Sequence, residues 1–287
     1  MVVELKNFRL DNKIGEGGQA KVFRITNDLA IKIYNDKSLS NLNVMSLLDA
    51  IEFGSNLENK TSDYLFRSSS WPRDVIQSNG KVVGITMSLA PSSSYVKRPK
   101  TDKSIFLSFN HLIKPIMPAL SGVVPDINGL KRVEILLNFL RLTEFLHSHC
   151  FILGDISGNN ISWSSNSSQI FLMDCDSARR TGKPSALPQM ETIYFTDPSP
   201  MPSYLEHQSS LDTDNYRIGL LVVAVLTKTF PLTPGKVIPK LALRELEKVA
   251  SQVNLPSLPI HVKNLWTQLG LGSGLRPNST EWIAAFN

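Results

Sequence analysis

The sequence predicts an α+β chain of two unequal parts: a small β-rich N-terminal part with one helix, and a larger, mainly helical C-terminal part. Three observations predict it. Apolar runs of strand length crowd the chain up to Ala90, the polar stretch Pro91-Ser92-Ser93-Ser94 breaks the pattern, and helical spacing dominates afterwards. The parts are therefore 1–90 and 91–287, with a hinge near Ser88–Pro91. A chain of 287 residues suits that division, because single cores stop growing near roughly 250–300 residues.

In the first part, Phe8–Ile14 and Lys21–Ile25 read as strands flanking a glycine-rich turn, and Leu29–Tyr34 as an apolar strand containing one lysine. Asn41–Phe53 has helical spacing, with Leu42, Met45, Leu48 and Phe53 on one side. Pro72–Gln77 and Val82–Leu89 form a strand pair around Ser78-Asn79-Gly80, a hairpin turn signal. In the second part, Arg132–His149 is the clearest helix, with apolar positions at Val133, Leu136, Leu137, Leu140, Phe145 and Leu146. Short strands at Phe151–Leu153 and Ile170–Met173 follow, each beside a polar loop. Asn215–Thr227 is apolar nearly all round, which predicts a buried central helix. Leu241–Val253, Val262–Leu269 and Ser279–Phe286 complete the helices, the last with Asn278 as its cap and Glu281 three residues on.

Composition removes several classes. With 42% apolar and 19% charged residues, the chain is neither disordered, collagen-like nor a coiled coil. The net charge of +5 is spread along the chain, which favours an anionic ligand without forming a nucleic-acid stripe. Cys150 and Cys175 are too few for a disulfide framework and lack metal-ligand spacing. Met1–Lys6 has no apolar signal core, and the longest apolar run, Ile218–Leu226, is too short for a bilayer. A cytoplasmic protein with neither membrane nor nucleic-acid partners is the expectation.

Three motifs carry chemistry. Gly15-Glu16-Gly17-Gly18-Gln19-Ala20-Lys21-Val22 lies between two strands, where glycines let backbone N–H groups approach phosphate oxygens. By itself this is also a plain turn. The next strand, Ala30-Ile31-Lys32-Ile33, adds weight, since a lysine inside an apolar strand must snorkel out or meet an anion. Gly154-Asp155-Ile156-Ser157-Gly158-Asn159-Asn160 sets an acid and an amide five residues apart on a loop. That pairing suits phosphoryl transfer, the carboxylate taking a hydroxyl proton while the amide oxygen helps hold Mg²⁺. Phe171-Leu172-Met173-Asp174 then places an acid directly after a strand, where it can hold the same cation.

Over nearly its full length the chain resembles the Ser/Thr protein kinase family. Gly15–Val22 resembles the glycine-rich loop, with Ala20 where a third glycine is usual, and Ala30-Ile31-Lys32 resembles Val-Ala-Ile-Lys. Leu153-Gly154-Asp155 stands where His-Arg-Asp is usual, with Asn160 at the family distance, and Asp174-Cys175-Asp176 where Asp-Phe-Gly is usual. Asp214–Gly219 resembles the start of the central helix and Arg276-Pro277 the closing motif. The variant spellings, with Trp71-Pro72 and Val83–Met87, are similar to a divergent bacterial group that includes kinases of tellurite-resistance and stress operons.

The resemblance implies a two-lobed protein-kinase-like fold that transfers the γ-phosphoryl group of ATP to Ser/Thr hydroxyls of a protein substrate. It implies Asp155, Lys32 and Asn160 as the catalytic set, and Asn160 and Asp174 as holders of Mg²⁺, with Mn²⁺ able to substitute. For the nucleotide it implies Ile14, Gly15, Glu16, Gly17, Gly18, Ala20, Val22, Ala30, Lys32, Met87, Ser88 and Ala90, although core packing explains Met87 equally well. Glu52 is the acid assigned to Lys32, with Asp49 and Glu58 nearby. A cognate phosphatase is the partner that the subgroup suggests. Two alternatives stand beside this reading: a pseudokinase scaffold that binds ATP without efficient transfer, and a small-molecule kinase of the antibiotic-phosphotransferase type.

Departures from the family pattern carry their own expectations. Gly154 replaces an arginine that grips an activation-loop phosphate, so activity should not require that phosphate. Ser157 stands where many members have a lysine, which removes a charge. Asp176 replaces a glycine, as a structural residue or as a second carboxylate near the metal. Ser199 falls where a glutamate would pair with Arg276, leaving Asp197 or Glu206 for that role. His147 and His149 read as a polar helix end, and Arg179, Arg180 and Lys183 as a solvated basic loop.

Overall fold

The computed structural model describes residues 2–101, 103–113, 120–189, 192, 195–197, 209–229, 258–269 and 276–286. The chain divides into two compact units, Met1–Ser92 with Phe171–Gln189, and Ser93–Ile170 with Met190–Asn287. The architecture is α+β, as the sequence predicts.

The first unit is built on a six-stranded sheet of order β1-β5-β6-β4-β3-β2, comprising β1 (Val2–Glu4), β2 (Lys13–Glu16), β3 (Ala20–Arg24), β4 (Leu29–Tyr34), β5 (Pro72–Ser78) and β6 (Lys81–Ser88). Strand β4 has the predicted bounds, and the β5–β6 hairpin turns at Asn79 and Gly80, both at positive φ. Two elements differ from the reading. The Phe8–Ile14 run supplies only Lys13 and Ile14 to a strand, and the edge is closed by β1, pairing parallel with β5.

Three helices follow β4: α1 (Asp36–Ser40), α2 (Val44–Asn56) and α3 (Asn59–Ser68). Asn35 and Asn43 cap the first two by accepting N–H bonds from Ser38 and Ser46. Helix α2 buries Leu47, Ala50, Ile51, Phe53 and Gly54, while Met45 and Leu48 face solvent, so its inner face is rotated from the predicted one. Trp71 sets that rotation. Its indole N–H donates to the Ala50 carbonyl at 2.8 Å, its ring meets Phe53 edge-on at 5.7 Å, and it lies against Gly54.

Strand period two puts Ala30, Lys32 and Tyr34 of β4 on one face, opposite Met87, Ile85 and the β3 residues Val22 and Ala20. That face forms a cluster with Leu47, Ile51, Val75 and Leu187, so Lys32 projects from the middle of an apolar layer. Gly84 permits the close approach of β6 to β4, since a Cβ there would sit 2.2 Å from the Lys32 carbonyl oxygen.

In the second unit, α4 (Asn110–Ile113), α5 (Gly129–Ser148), α6 (Leu211–Thr227), α7 (Ile260–Leu269) and α8 (Ser279–Ala284) form the helical body. Helix α6 is buried from Tyr216 to Val225, which matches its apolar character all round. Ser210 caps its N-terminus, and Asp212 and Asp214 in the first turn suit the helix dipole. Asn278 and Glu281 make the reciprocal capping box of α8, and the Thr143 and Ser279 hydroxyls, 2.8 Å apart, link α5 to α8. The predicted helix Leu241–Val253 lies outside the described residues. Among them, no helix is long and apolar enough to cross a membrane.

Replacing Gly84 by alanine should cost about 1–3 kcal/mol, because the clashing atom is backbone and cannot swing away. Urea unfolding of Gly84→Ala against the parent chain measures it.

Candidate functional site

The first unit gathers one set of functional groups. Lys32 Nζ lies 2.9 Å from Asp174 Oδ1 and 2.8 Å from Asp176 Oδ1. These acids come from a segment more than a hundred residues later, where β7 (Ile170–Leu172) leads into a 3₁₀ turn at Cys175–Ser177. Asp174 occupies the left-handed region at φ 55°, which turns the chain sharply and sends the two carboxylates to the same ammonium. Their surroundings differ. The Asp176 side chain is 2% exposed and also accepts from the Tyr34 hydroxyl at 2.9 Å, whereas the Asp174 side chain is 56% exposed.

Burial opposes the charge on Lys32, but the Asp176 and Asp174 carboxylates outweigh it, and the ammonium is held above the ordinary lysine range. Its folded value therefore exceeds the unfolded one. The stability that follows is complete below the ordinary lysine range and fades only as the solution becomes more alkaline still. Burial, and then the Asp176 charge, push the Tyr34 phenol up, so it stays a hydrogen-bond donor at neutral pH.

Glu52 is corrected as the partner of Lys32. It lies exposed on α2, while the ion pairs of Lys32 go to the two aspartates. Asp49 is committed elsewhere, to Arg180 Nε at 2.9 Å and Lys183 Nζ at 3.6 Å. The reading of Arg179, Arg180 and Lys183 as a solvated loop also changes, because Arg179 is buried and donates to the Lys183 carbonyl.

The residues assigned to the nucleotide fall on β2, β3, β4 and β6. Ile14, Gly15, Glu16 and Gly17 form the exposed arm of the β2–β3 hairpin, ending at Gly18. Its tip is tied down by Asn35, whose side chain donates to the Gly18 carbonyl at 2.8 Å. Cβ atoms built on Gly17 and Gly18 would meet nothing within 4 Å, so internal packing makes no demand for glycine there. Ala20, Ala30 and Met87 are buried in the cluster around Lys32, with Val22 packed against it. Ser88 is buried at the end of β6 and Ala90 is half-buried beyond it.

The second unit holds the other set. Asp155 accepts on both carboxylate oxygens, from the Asn160 amide at 2.8 Å and from the Thr192 hydroxyl at 3.0 Å. Asn160 donates as well to the Asp155 carbonyl, which fixes the Asp155–Asn160 loop through the amide nitrogen. The loop is held from beneath by Asp214, fully buried at the start of α6. It accepts from the Leu153 and Gly154 N–H groups at 2.7 and 3.0 Å and from His147 Nε2 at 3.1 Å. Gly154 sits at φ 86°, where glycine is unstrained, and its carbonyl accepts from Ser209. Arg217 completes the support by donating to Ser209 at 2.7 Å.

Sequence reasoning missed Thr192, Ser209 and Arg217, and it took His147 for an ordinary helix end. Arg276 finds its partner in Asp197, gripped by both terminal nitrogens, with Asp212 at 3.1 Å; Glu206 and Ser199 lie outside the described residues. Ser157 is fully buried, and its hydroxyl has no hydrogen-bond partner among the described residues.

The donors fit a hard cation. The exposed Asp174 carboxylate of the first unit is the type of ligand that Mg²⁺ takes, and so, in the second unit, is the Asn160 amide oxygen. An exposed hairpin tip and a buried cation on the same sheet fit the phosphates of a nucleotide.

No protein-family model matches the sequence, and no curated protein does. Among solved structures the chain is similar to the Cydia pomonella granulovirus kinase PK-1, with a TM-score of 0.65 and 14% identity over 97% of this chain and 93% of that one. The chain has a protein-kinase-like fold.

Two predictions test this geometry. Gly17→Ala and Gly18→Ala should leave stability within about 0.5 kcal/mol of the parent, measured by urea unfolding. Cys175 is buried and its thiol pushed up by that burial, whereas Cys150 is exposed. A thiol reagent should therefore titrate one cysteine in the native chain and a second only after denaturation.

Proposed function

We propose that this protein is an ATP-dependent protein kinase that phosphorylates Ser/Thr hydroxyls of a protein substrate. One observation carries the reading: Lys32, from the middle of an apolar strand, meets the exposed carboxylate of Asp174 at 2.9 Å. A buried cation beside a solvent-open acid is the arrangement that phosphates with a bridging divalent ion require.

Lys32 and the Gly15–Ala20 hairpin contact the phosphates, while Ala30 and Met87 offer an apolar surface to the base. Asp155 orients the acceptor hydroxyl and takes its proton as the oxygen attacks the γ-phosphorus; the bond to the β-phosphate oxygen breaks, and ADP leaves. The Thr192 hydroxyl already donates to Asp155 Oδ1, so that oxygen can accept from an alcohol. Asn160 holds the second oxygen and keeps the carboxylate from turning away. Asp174 and Asn160 are the residues that the family resemblance gives to Mg²⁺, which would supply charge neutralisation on the phosphates.

The subgroup reading, a divergent bacterial kinase of a tellurite-resistance or stress operon with a cognate phosphatase, rests on the Gly154-Asp155 and Asp174-Cys175-Asp176 spellings. We assign nucleotide binding to residues 1–90, catalysis and substrate binding to 91–287, and a cytoplasmic location.

Asp155→Asn removes the base while keeping its shape. It should leave ATP binding intact and cut transfer of radiolabel from ATP to a generic protein about 100-fold or more. Unchanged turnover contradicts the assignment. Separately, replacing Ser177, Thr181, Ser185 and Thr196 together, with Thr192 retained for its bond to Asp155, should leave transfer intact. A folded but inactive variant would show that an activation-segment phosphate is needed.

A further inference from the structure

Asp176 is the feature of the first unit that the proposed reaction does not use. It stands where the resemblance has glycine, yet its carboxylate is buried and both of its oxygens are filled. Oδ1 accepts from Lys32 at 2.8 Å, and Oδ2 accepts from the Tyr34 hydroxyl at 2.9 Å. The two donors are two residues apart on β4, so the strand repeat aims them at one acceptor. Asp174 contacts the same ammonium but is more than half exposed, which leaves it able to turn toward solvent or a ligand. Helix α2 supplies no rival acid: Glu52 is exposed, and Asp49 is held by Arg180 and Lys183.

We propose that Asp176, braced by Tyr34, is the positioning residue for Lys32, fixing the ammonium for phosphate contact through the 3₁₀ turn and not through an acid on helix α2. This rests on the reading of Lys32 as a phosphate-binding group. It means that the alignment of Lys32 is a property of β4 and the Cys175–Ser177 turn, and needs no movement of α2. A charge-assisted hydrogen bond in a dry site defines direction as well as distance, so an isosteric neutral replacement keeps the packing and loosens the aim. Tyr34 acts one step further out, holding the carboxylate plane.

The experiment compares the affinities of ADP and adenosine by calorimetry for the full chain and its variants. The parent should bind ADP more tightly than adenosine. Asp176→Asn should lose about tenfold or more in ADP affinity, the scale of a charge-assisted hydrogen bond, with adenosine affinity held within about twofold. Tyr34→Phe, which removes one hydroxyl from a packed ring, should lose a smaller part of the ADP preference and keep the adenosine affinity. Should Asp176→Asn fail to fold, Tyr34→Phe decides alone. An unchanged ADP preference in both folded variants overturns the proposal, as does an equal loss of ADP affinity on Glu52→Gln. No preference for ADP in the parent overturns instead the phosphate-binding reading beneath it.

Discussion

A lysine ammonium held inside an apolar sheet is the constraint on which the first unit depends. Lys32 projects from β4 into the layer formed by Ala20, Ala30, Ile85 and Met87, where an unpaired charge would be untenable. It stays charged because two carboxylates reach it from a distant segment of the chain. The same contact ties Phe171–Gln189 to the N-terminal sheet, aided by the Ser70 N–H bond to the Leu172 carbonyl and by Asp49 with Arg180. The group that would meet phosphate is thus also the group that organises its surroundings, and its alignment and the unit's stability share one source.

In the second unit the comparable role falls to a buried anion. Asp214 receives two backbone N–H groups and His147, and so fixes the approach to the loop that bears Asp155 and Asn160. Carboxylates filled by several donors are costly to disturb, because removing one donor leaves a buried charge short of a partner. Arg217 and Ser209 hold the same loop through the Gly154 carbonyl. Neither Asp214 nor Arg217 needs to touch a substrate to matter. Both set the place of Asp155.

Much of this was legible in the sequence. The β4 strand, the Asn79-Gly80 hairpin, the buried α6 and the Asn278 cap follow from local rules, and the structure has all four. The α+β class followed from the change of period after Ala90. What local rules could not supply was long-range. The inner face of α2 is chosen by Trp71, which no periodicity in Asn41–Phe53 records. Glu52 was the natural acid for Lys32 by proximity in sequence, whereas the acids it meets lie beyond position 170. Strand parity did place Lys32 and Tyr34 on one face, a signal that could have pointed to a shared acceptor. Thr192, Ser209 and Arg217 gave no such signal, since each contributes through a contact that only the folded chain creates.

The central claim, that Lys32 is held by Asp176, is tested most directly by a double-mutant cycle on unfolding free energy with Asp174 left in place. Lys32→Met strands the buried Asp176 carboxylate and should destabilise the chain by about 3–5 kcal/mol, whereas Asp176→Leu, which leaves Lys32 its contact with Asp174, should cost less. The double variant, with no charge left at either position, should be more stable than the sum of the single costs by at least about 1 kcal/mol. Additivity within about 0.5 kcal/mol would contradict the account, because the two side chains would then act independently.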